Sequence, residues 1–359
     1  MTKLIPCLLM GALCLPGTVS AQYKRSTVTP PSPFASSDRT IHYEPQRNEP
    51  ANSGIFGIVV NPAYLDVHGL NLNIGGGAEF FYTWRSLLRI SGGYYFAYAD
   101  NIGGENHKGE PNEDWVSYGT AVNVKPSSSI HLLLSPTISS WEKTDDYHIT
   151  LGKADRNSIA VSRVSGTVLK AITGRLGYVV DKRMIETKNG IAFETNTPAF
   201  NYNYQGEVYP LRPENLDKGN TMMQSNIAVI GVALTTFRDM KITLDDDRYT
   251  GRRQEKSQTD VFFDLLYAHQ LQFQDMIYYH SLEYPTQKQA KGHLPQRLDL
   301  SATPVNKLGA RVGYQFIGMY KRNFGAKCLI ELGLRPGPSN AEGNLYLQIT
   351  YGIVFGAKP

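Results

Sequence analysis

No stretch of the chain beyond its first 21 residues approaches 18 consecutive apolar residues. A helical membrane span needs about 20, so helical crossings of a bilayer are excluded. Cysteine is nearly absent as well. Of three cysteines, Cys7 and Cys14 fall in the first 14 residues, leaving Cys328 as the lone thiol beyond them. A single cysteine closes no internal disulfide, so something other than covalent cross-links must hold the fold. Charge of one sign is also scarce: the formal net charge is only +4 over 359 residues. That leaves no electrostatic case for nucleic acid. Mean hydropathy is slightly negative.

What is present begins with an export signal. Lys3 supplies the positive start, Leu4 to Leu15 form a short apolar core, and Val19-Ser20-Ala21 is a small-residue cleavage site. Residues 1–21 therefore read as a signal peptide, with cleavage near Ala21-Gln22. Leu13 directly before Cys14 argues against a lipid anchor. Residues 22–53 carry Pro30, Pro31, Pro33, Pro45 and Pro50 without periodicity and read as a flexible tail on the periplasmic side.

Residues 54–359 read as strands. The clearest is at the end, where Leu345, Leu347, Ile349, Tyr351, Ile353 and Phe355 alternate with Tyr346, Gln348, Thr350, Gly352 and Val354. Such a strand has one greasy face and one wet face. The same rule recurs upstream: Phe80, Tyr82 and Trp84; Tyr94, Phe96 and Tyr98; Leu308, Val312, Tyr314 and Phe316; Phe324, Cys328, Ile330 and Leu332. Further strands are expected around 115–124, 130–139, 147–151, 159–165, 168–180, 225–237, 240–244, 260–269 and 272–280. The polar stretches 101–114, 196–220, 245–259 and 283–306 are expected to be long extracellular loops.

This pattern predicts an all-β fold, a transmembrane antiparallel β-barrel of about 12 strands within a range of about 10–14. A soluble β-sandwich also alternates, but its strands run about 5–6 residues, shorter than these. With the large apolar parity toward lipid, Arg89, Arg175, Asp264, Lys307, Arg311, Gln315, Lys327 and Glu331 face the lumen. The reverse would cost about 2–4 kcal/mol for each mid-membrane charge.

Conventional chemistry finds little support. No two histidines take the i, i+4 spacing of a zinc helix, and no cofactor is implied. Asp264 and His269 are an odd number of residues apart and point to opposite faces of a strand. Ser127, Ser129 and His131 share a parity, with Asp145, Asp146 and His148 following, but no Gly-x-Ser-x-Gly elbow activates a serine. Asp245-Asp246-Asp247 lacks the spacing and glycine of a calcium loop. Gly75-Gly76-Gly77 lacks the Gly-Lys-Ser/Thr of a phosphate cradle and reads as a point of tight strand curvature.

The signal peptide, the tyrosine-rich strands and the terminal Tyr351-Gly352-Ile353-Val354-Phe355 resemble outer-membrane β-barrel proteins of Bacteroidota. Asn61-Pro62-Ala63 is similar to the tripeptide found early in barrels related to fatty-acid channels and to the type IX secretion apparatus. The resemblance spans about residues 54 to 356 and carries over no binding residues. It implies that Tyr351, Ile353 and Phe355 form the C-terminal assembly signal. The implied partners are outer-membrane lipid, the barrel-insertion machinery and other envelope proteins. The leading expectation is a non-enzymatic channel or structural envelope protein. The alternatives are an accessory component of a secretion or surface-attachment machine, or a hydrolase sited at the barrel rim.

Overall fold

The computed structural model describes residues 43–68, 71–101, 117–121, 126–153, 159–186, 200–204, 207–211, 218–245, 250–274, 276–281, 293–298, 303–321, 323–339 and 344–357. The expected signal peptide, the first part of the proline-rich tail, Cys7 and Cys14, the stretch 102–114 and Asp246-Asp247 lie outside these residues.

Ten antiparallel strands close into a barrel. They are β1 (Ile55–His68), β2 (Asn71–Trp84), β3 (Leu88–Asn101), β4 (Ser128–Lys153), β5 (Ile159–Glu186), β6 (Lys218–Asp245), β7 (Thr250–Phe273), β8 (Leu308–Lys321), β9 (Phe324–Leu334) and β10 (Leu345–Ala357). Each pairs with its sequence neighbour, and β10 pairs with β1 to shut the ring, so no barrel edge is left open. The strand order therefore follows the chain. Connections are short at one end, such as Arg85–Leu87, and mostly long at the other, such as 274–307, where only the two-residue link between β1 and β2 is short.

The count is ten, not the central expectation of twelve, for two reasons. The separately expected strands 130–139 and 147–151 are one 26-residue strand, and 159–165 and 168–180 are one 28-residue strand. Likewise 225–237 and 240–244 merge in β6. The apolar signal lapses at Ser139, Ser140 and Thr144, but these residues are compatible with extended backbone and the ladder runs on. In addition, Ser117–Ala121 and Met276–Ser281 pair with each other outside the barrel wall. The expected loop 245–259 is also corrected. From Thr250 onward it is strand, because β6 and β7 stay in register down to Asp245 opposite Thr250.

Strand length is uneven. Strands β1–β3 and β8–β10 have 11–14 residues, whereas β4–β7 have 24–28. The last β3–β4 pair is Leu88 with Pro136, and β4 continues to Lys153. The β4–β5 and β6–β7 hairpins thus project beyond the barrel at the end with short turns. Between them lies a small separate core of Tyr147, Val164, Val168, Met240 and Ile242, all at most 1% exposed. Arg238 donates to Asp145 at 3.2 Å and clasps the two hairpins together. Partial burial pushes the Asp145 carboxyl up, but the Asp146 backbone N–H and the Arg238 guanidinium outweigh it and hold it below the ordinary carboxylate range. A depressed carboxyl favours the folded state above its unfolded pKa, so the clasp strengthens the extension at neutral pH and weakens as acid protonates it.

The expected tail is structured from Tyr43. Strand Tyr43–Asn48 pairs with Met240–Leu244 of β6, along the edge exposed once β5 stops pairing with β6 at Leu169 and Phe237. A 3-10 turn, Pro50–Asn52, follows, and Ser86 Oγ donates to Pro50 O at 2.7 Å, tying it to the β2–β3 turn. Residues 43–53 escaped sequence reading because Pro45 and Pro50 break the pattern, yet proline is tolerated on an edge strand and at the start of a helical turn. Deleting residues 43–48 should leave the barrel closed but speed amide exchange along Met240–Leu244. Exchange read by mass spectrometry checks this, and unchanged protection there would show that the segment is not needed.

The two faces of the wall differ sharply. Outward positions include Ile230, Val232 and Leu234 on β6, Val261, Phe263, Leu265 and Tyr267 on β7, and Tyr351 and Phe355 on β10, each 45–59% exposed. Inward positions carry nearly all the buried charge. At Asn61-Pro62-Ala63 the ladders of β1 with both β2 and β10 shift register. This bulge, where Pro62 offers no N–H, switches the inward parity from Ile55, Val59 and Asn61 to Tyr64 and Asp66.

Candidate functional site: the charged barrel interior

Among the described residues, seven cationic side chains are buried on the inward face: Arg89, Arg175, Arg183, Lys256, Arg311, Lys327 and Arg335. Seven carboxylates meet them: Asp66, Glu79, Asp181, Asp239, Asp260, Asp264 and Glu331. The formal charges balance. Buried charges that lack partners are costly, so a lumen of this kind holds together only when each is paired and hydrogen-bonded.

Three layers are distinguishable. Toward the short turns, Arg89 on β3 pairs with Asp260 on β7, and Asp260 also accepts from Thr235 Oγ1 at 2.8 Å. Thr83 on β2 donates to Gln258 on β7 at 3.2 Å. In a ten-stranded ring β2 and β7 are diametrically opposite, so these two side chains span the whole lumen. At the same end Ile55, Val59, Phe81, Ile317, Met319 and Val354 form an apolar plug.

In the middle, Asp264 accepts from Arg175 Nε at 2.7 Å, from Arg175 Nη2 at 3.1 Å and from Arg311 Nε at 2.8 Å. Arg175 stacks on the Phe262 ring at 3.9 Å. Arg311 reaches on to Glu331 at 3.2 Å. Lys327 pairs with Glu79, which also accepts from Asn61 Nδ2 at 2.9 Å and lies 3.7 Å from His131 Nε2. Toward the long connections, Arg335 donates to Asp66 at 2.9 and 3.0 Å and to Gln348 at 2.9 Å, lying over the Tyr346 ring at 3.4 Å. Arg183 on β5 joins both Asp66 on β1, at 2.8 Å, and Asp181.

Between these layers sits a cavity of about 80 Å³. That volume suits a few water-sized groups. Its charged lining is Arg175, Arg183, Arg311, Lys327 and Arg335 with Glu79, Asp181 and Glu331, plus His131. Its apolar wall comes from β4–β7 and β9, including Leu133, Val229, Phe262 and Leu266.

The structure brings Arg175, Asp264, Arg311 and Glu331 into one network, with Lys327 in the same middle layer and Arg89 in the layer toward the short turns. Gln315 is buried on the same wall. Lys307 differs: it is exposed and precedes the first residue of β8, so its backbone carbonyl, which accepts from Ala268 N, sits at the rim. The side chains of Tyr351 and Phe355 lie on the outer face, Phe355 edge-on to Phe324 at 6.1 Å. Ile353 lies between them on the same parity and is half-buried.

Of the residues weighed for chemistry, Asp264 is buried while His269 is exposed, with its Nε2 3.2 Å from the Tyr178 hydroxyl. Ser127 Oγ accepts from Met184 N. His131 faces Glu79 inside the barrel and stacks on Tyr95. The His148 side chain lies outside the described residues. No group of three or more metal-ligating side chains is placed to hold an ion among the described residues.

Sequence reading missed Glu79, Asp66, Asp181, Arg183, Asp260 and Arg335. For Glu79 and Asp260 the signal was there, since they share inward parity with Phe81 and Asp264. Asp66 was hidden by the Asn61-Pro62-Ala63 bulge. Asp181 and Arg183 lay past a strand end placed too early, at Val180. Arg335 stands just beyond β9 and carries no periodic signal. The sequence matches no protein-family model and no curated protein.

Proposed function

We propose that this protein is an outer-membrane barrel with a sealed lumen, acting as a structural component of the envelope rather than as a pore. The carrying observation is the contact between Thr83 and Gln258 from opposite walls, in the same layer as Arg89–Asp260. A barrel of about 8 strands is filled by its own side chains, whereas open aqueous channels belong to barrels of about 16–18. Ten strands lie near the filled limit, and the paired charges occupy what room remains.

Membrane residence is supported by the outward apolar parity. On β10 it runs from Leu345 to Phe355, about the 9–11 residues of a membrane-crossing strand. The export signal and the resemblance to Bacteroidota barrels support the outer membrane as its location. Outer-membrane lipid and the barrel-insertion machinery are then its obligatory partners.

Single-channel recording in planar bilayers tests the sealed state. The refolded protein should give no conductance steps, and ohmic steps of uniform size would return the pore reading.

A second reading rests on the long strands. Strands of 24–28 residues are more than twice what a crossing requires, so the β4–β5 and β6–β7 hairpins stand clear of the bilayer on the side of the short turns. A projecting platform of this kind suits an accessory role in a secretion or surface-attachment assembly. Crosslinking in intact cells from cysteines placed at Glu142 and Asp146 would capture an envelope partner, and recovery of the uncrosslinked chain alone would count against this role.

A further inference from the structure

We propose that the central cavity is a binding site for one small monovalent anion, a halide or a carboxylate of formate size, held by Arg175. Three observations carry this. First, Arg175 is 3% exposed and spends Nε and Nη2 on Asp264, but its Nη1 has no hydrogen-bond partner, although Arg175 lines the cavity. A buried guanidinium nitrogen without an acceptor is costly, and an anion or a water must relieve it.

Second, the lining is not neutral even though the lumen is. Five cationic side chains reach the cavity wall against three carboxylates. Asp66 and Asp264, which neutralise four of those cations, are not among the lining residues. The cavity wall therefore carries more cationic donors than carboxylates, although each cation keeps a carboxylate partner, inside a low-dielectric wall where electrostatic attraction is stronger than in water.

Third, size and chemistry restrict the ligand. About 80 Å³ admits an ion and a few waters, but neither a sugar nor an acyl chain. The apolar part of the wall is Leu133, Val229, Leu266 and Phe262, with the Phe262 ring packed against Arg175. A compact anion takes its hydrogen bonds from the guanidinium side and needs none from the apolar side.

The test uses the full protein folded in detergent. Crystals grown in bromide should show one anomalous peak at hydrogen-bond distance from Arg175 Nη1. At constant ionic strength, bromide and formate should each raise the thermal midpoint by about 2–4 °C relative to gluconate, which is too large to enter. If bromide alone acts, the site is a halide site; if formate alone acts, it takes carboxylates. Val229→Phe fills the cavity without touching a charge and should abolish the anion dependence while the heat-modifiable gel shift of the folded barrel persists. Arg175→Met should abolish it too, but it orphans part of Asp264, so Val229→Phe is the controlling variant. Water density alone at Nη1, bromide only on the outer surface, or equal midpoints in all three salts would overturn the proposal.

Discussion

Glu79→Ala should destabilise the folded barrel by about 3–5 kcal/mol, the cost of leaving a buried ion without its partner. Glu79 is 4% exposed and pairs with Lys327, itself 5% exposed, and it accepts hydrogen bonds from Asn61 and Tyr95 as well. Removing the carboxylate leaves the Lys327 ammonium buried without a counter-charge, beside the other cationic side chains of the cavity wall. The double variant Glu79→Leu/Lys327→Met removes both charges and should recover most of the loss, because an apolar pair no longer has to be desolvated. Equilibrium unfolding in urea, in the same lipid vesicles for every variant, measures the cycle. If Glu79→Ala falls within about 0.5 kcal/mol of the parent, the middle layer is hydrated and the lumen is not sealed there.

Val232→Arg should cost about 2–4 kcal/mol in a bilayer, the depth-dependent price of a charge at the midplane. Val232 is 51% exposed at the centre of the outward row on β6, flanked by Ile230 and Leu234. In a soluble β protein the same exposed position would take arginine within about 0.5 kcal/mol. The prediction thus separates a wall facing acyl chains from a wall facing water. Folding efficiency into vesicles, followed by gel mobility with and without heating, reads it out. A variant that folds as well as the parent would remove the membrane reading.

Much of this interior was legible because a two-residue period leaves each side chain one choice of wall. Phe80, Tyr82 and Trp84 pointing out force Glu79 and Thr83 in, and Val261, Phe263 and Leu265 do the same for Asp260 and Asp264. What could not be read was where the period breaks or ends. Pro62 sits in a bulge that reverses the choice, so Asp66 gave no sign of its place. Ser139, Ser140 and Thr144 carry no apolar parity where the strands run beyond the closed barrel, so the long hairpins looked like separate short strands and the count rose to twelve. Lys307 kept the right parity but fell one residue before its strand. The pairings themselves were invisible, since nothing in a local pattern says that Thr83 will meet Gln258.

Those pairings bear on how the molecule is made. Glu79 and Lys327 are 248 residues apart, and Asp66 and Arg335 are 269 apart. A nascent chain that has completed only its first seven strands holds Glu79 and Asp66 but lacks Lys327, Arg335 and the staves that exclude solvent. Contacts of such long sequence separation reward the chain only after the loop entropy of closing it has been met. No half-built cylinder is a stable resting point, and the last strand, by joining the first, turns an open sheet with unpaid charges into a neutral, finished one.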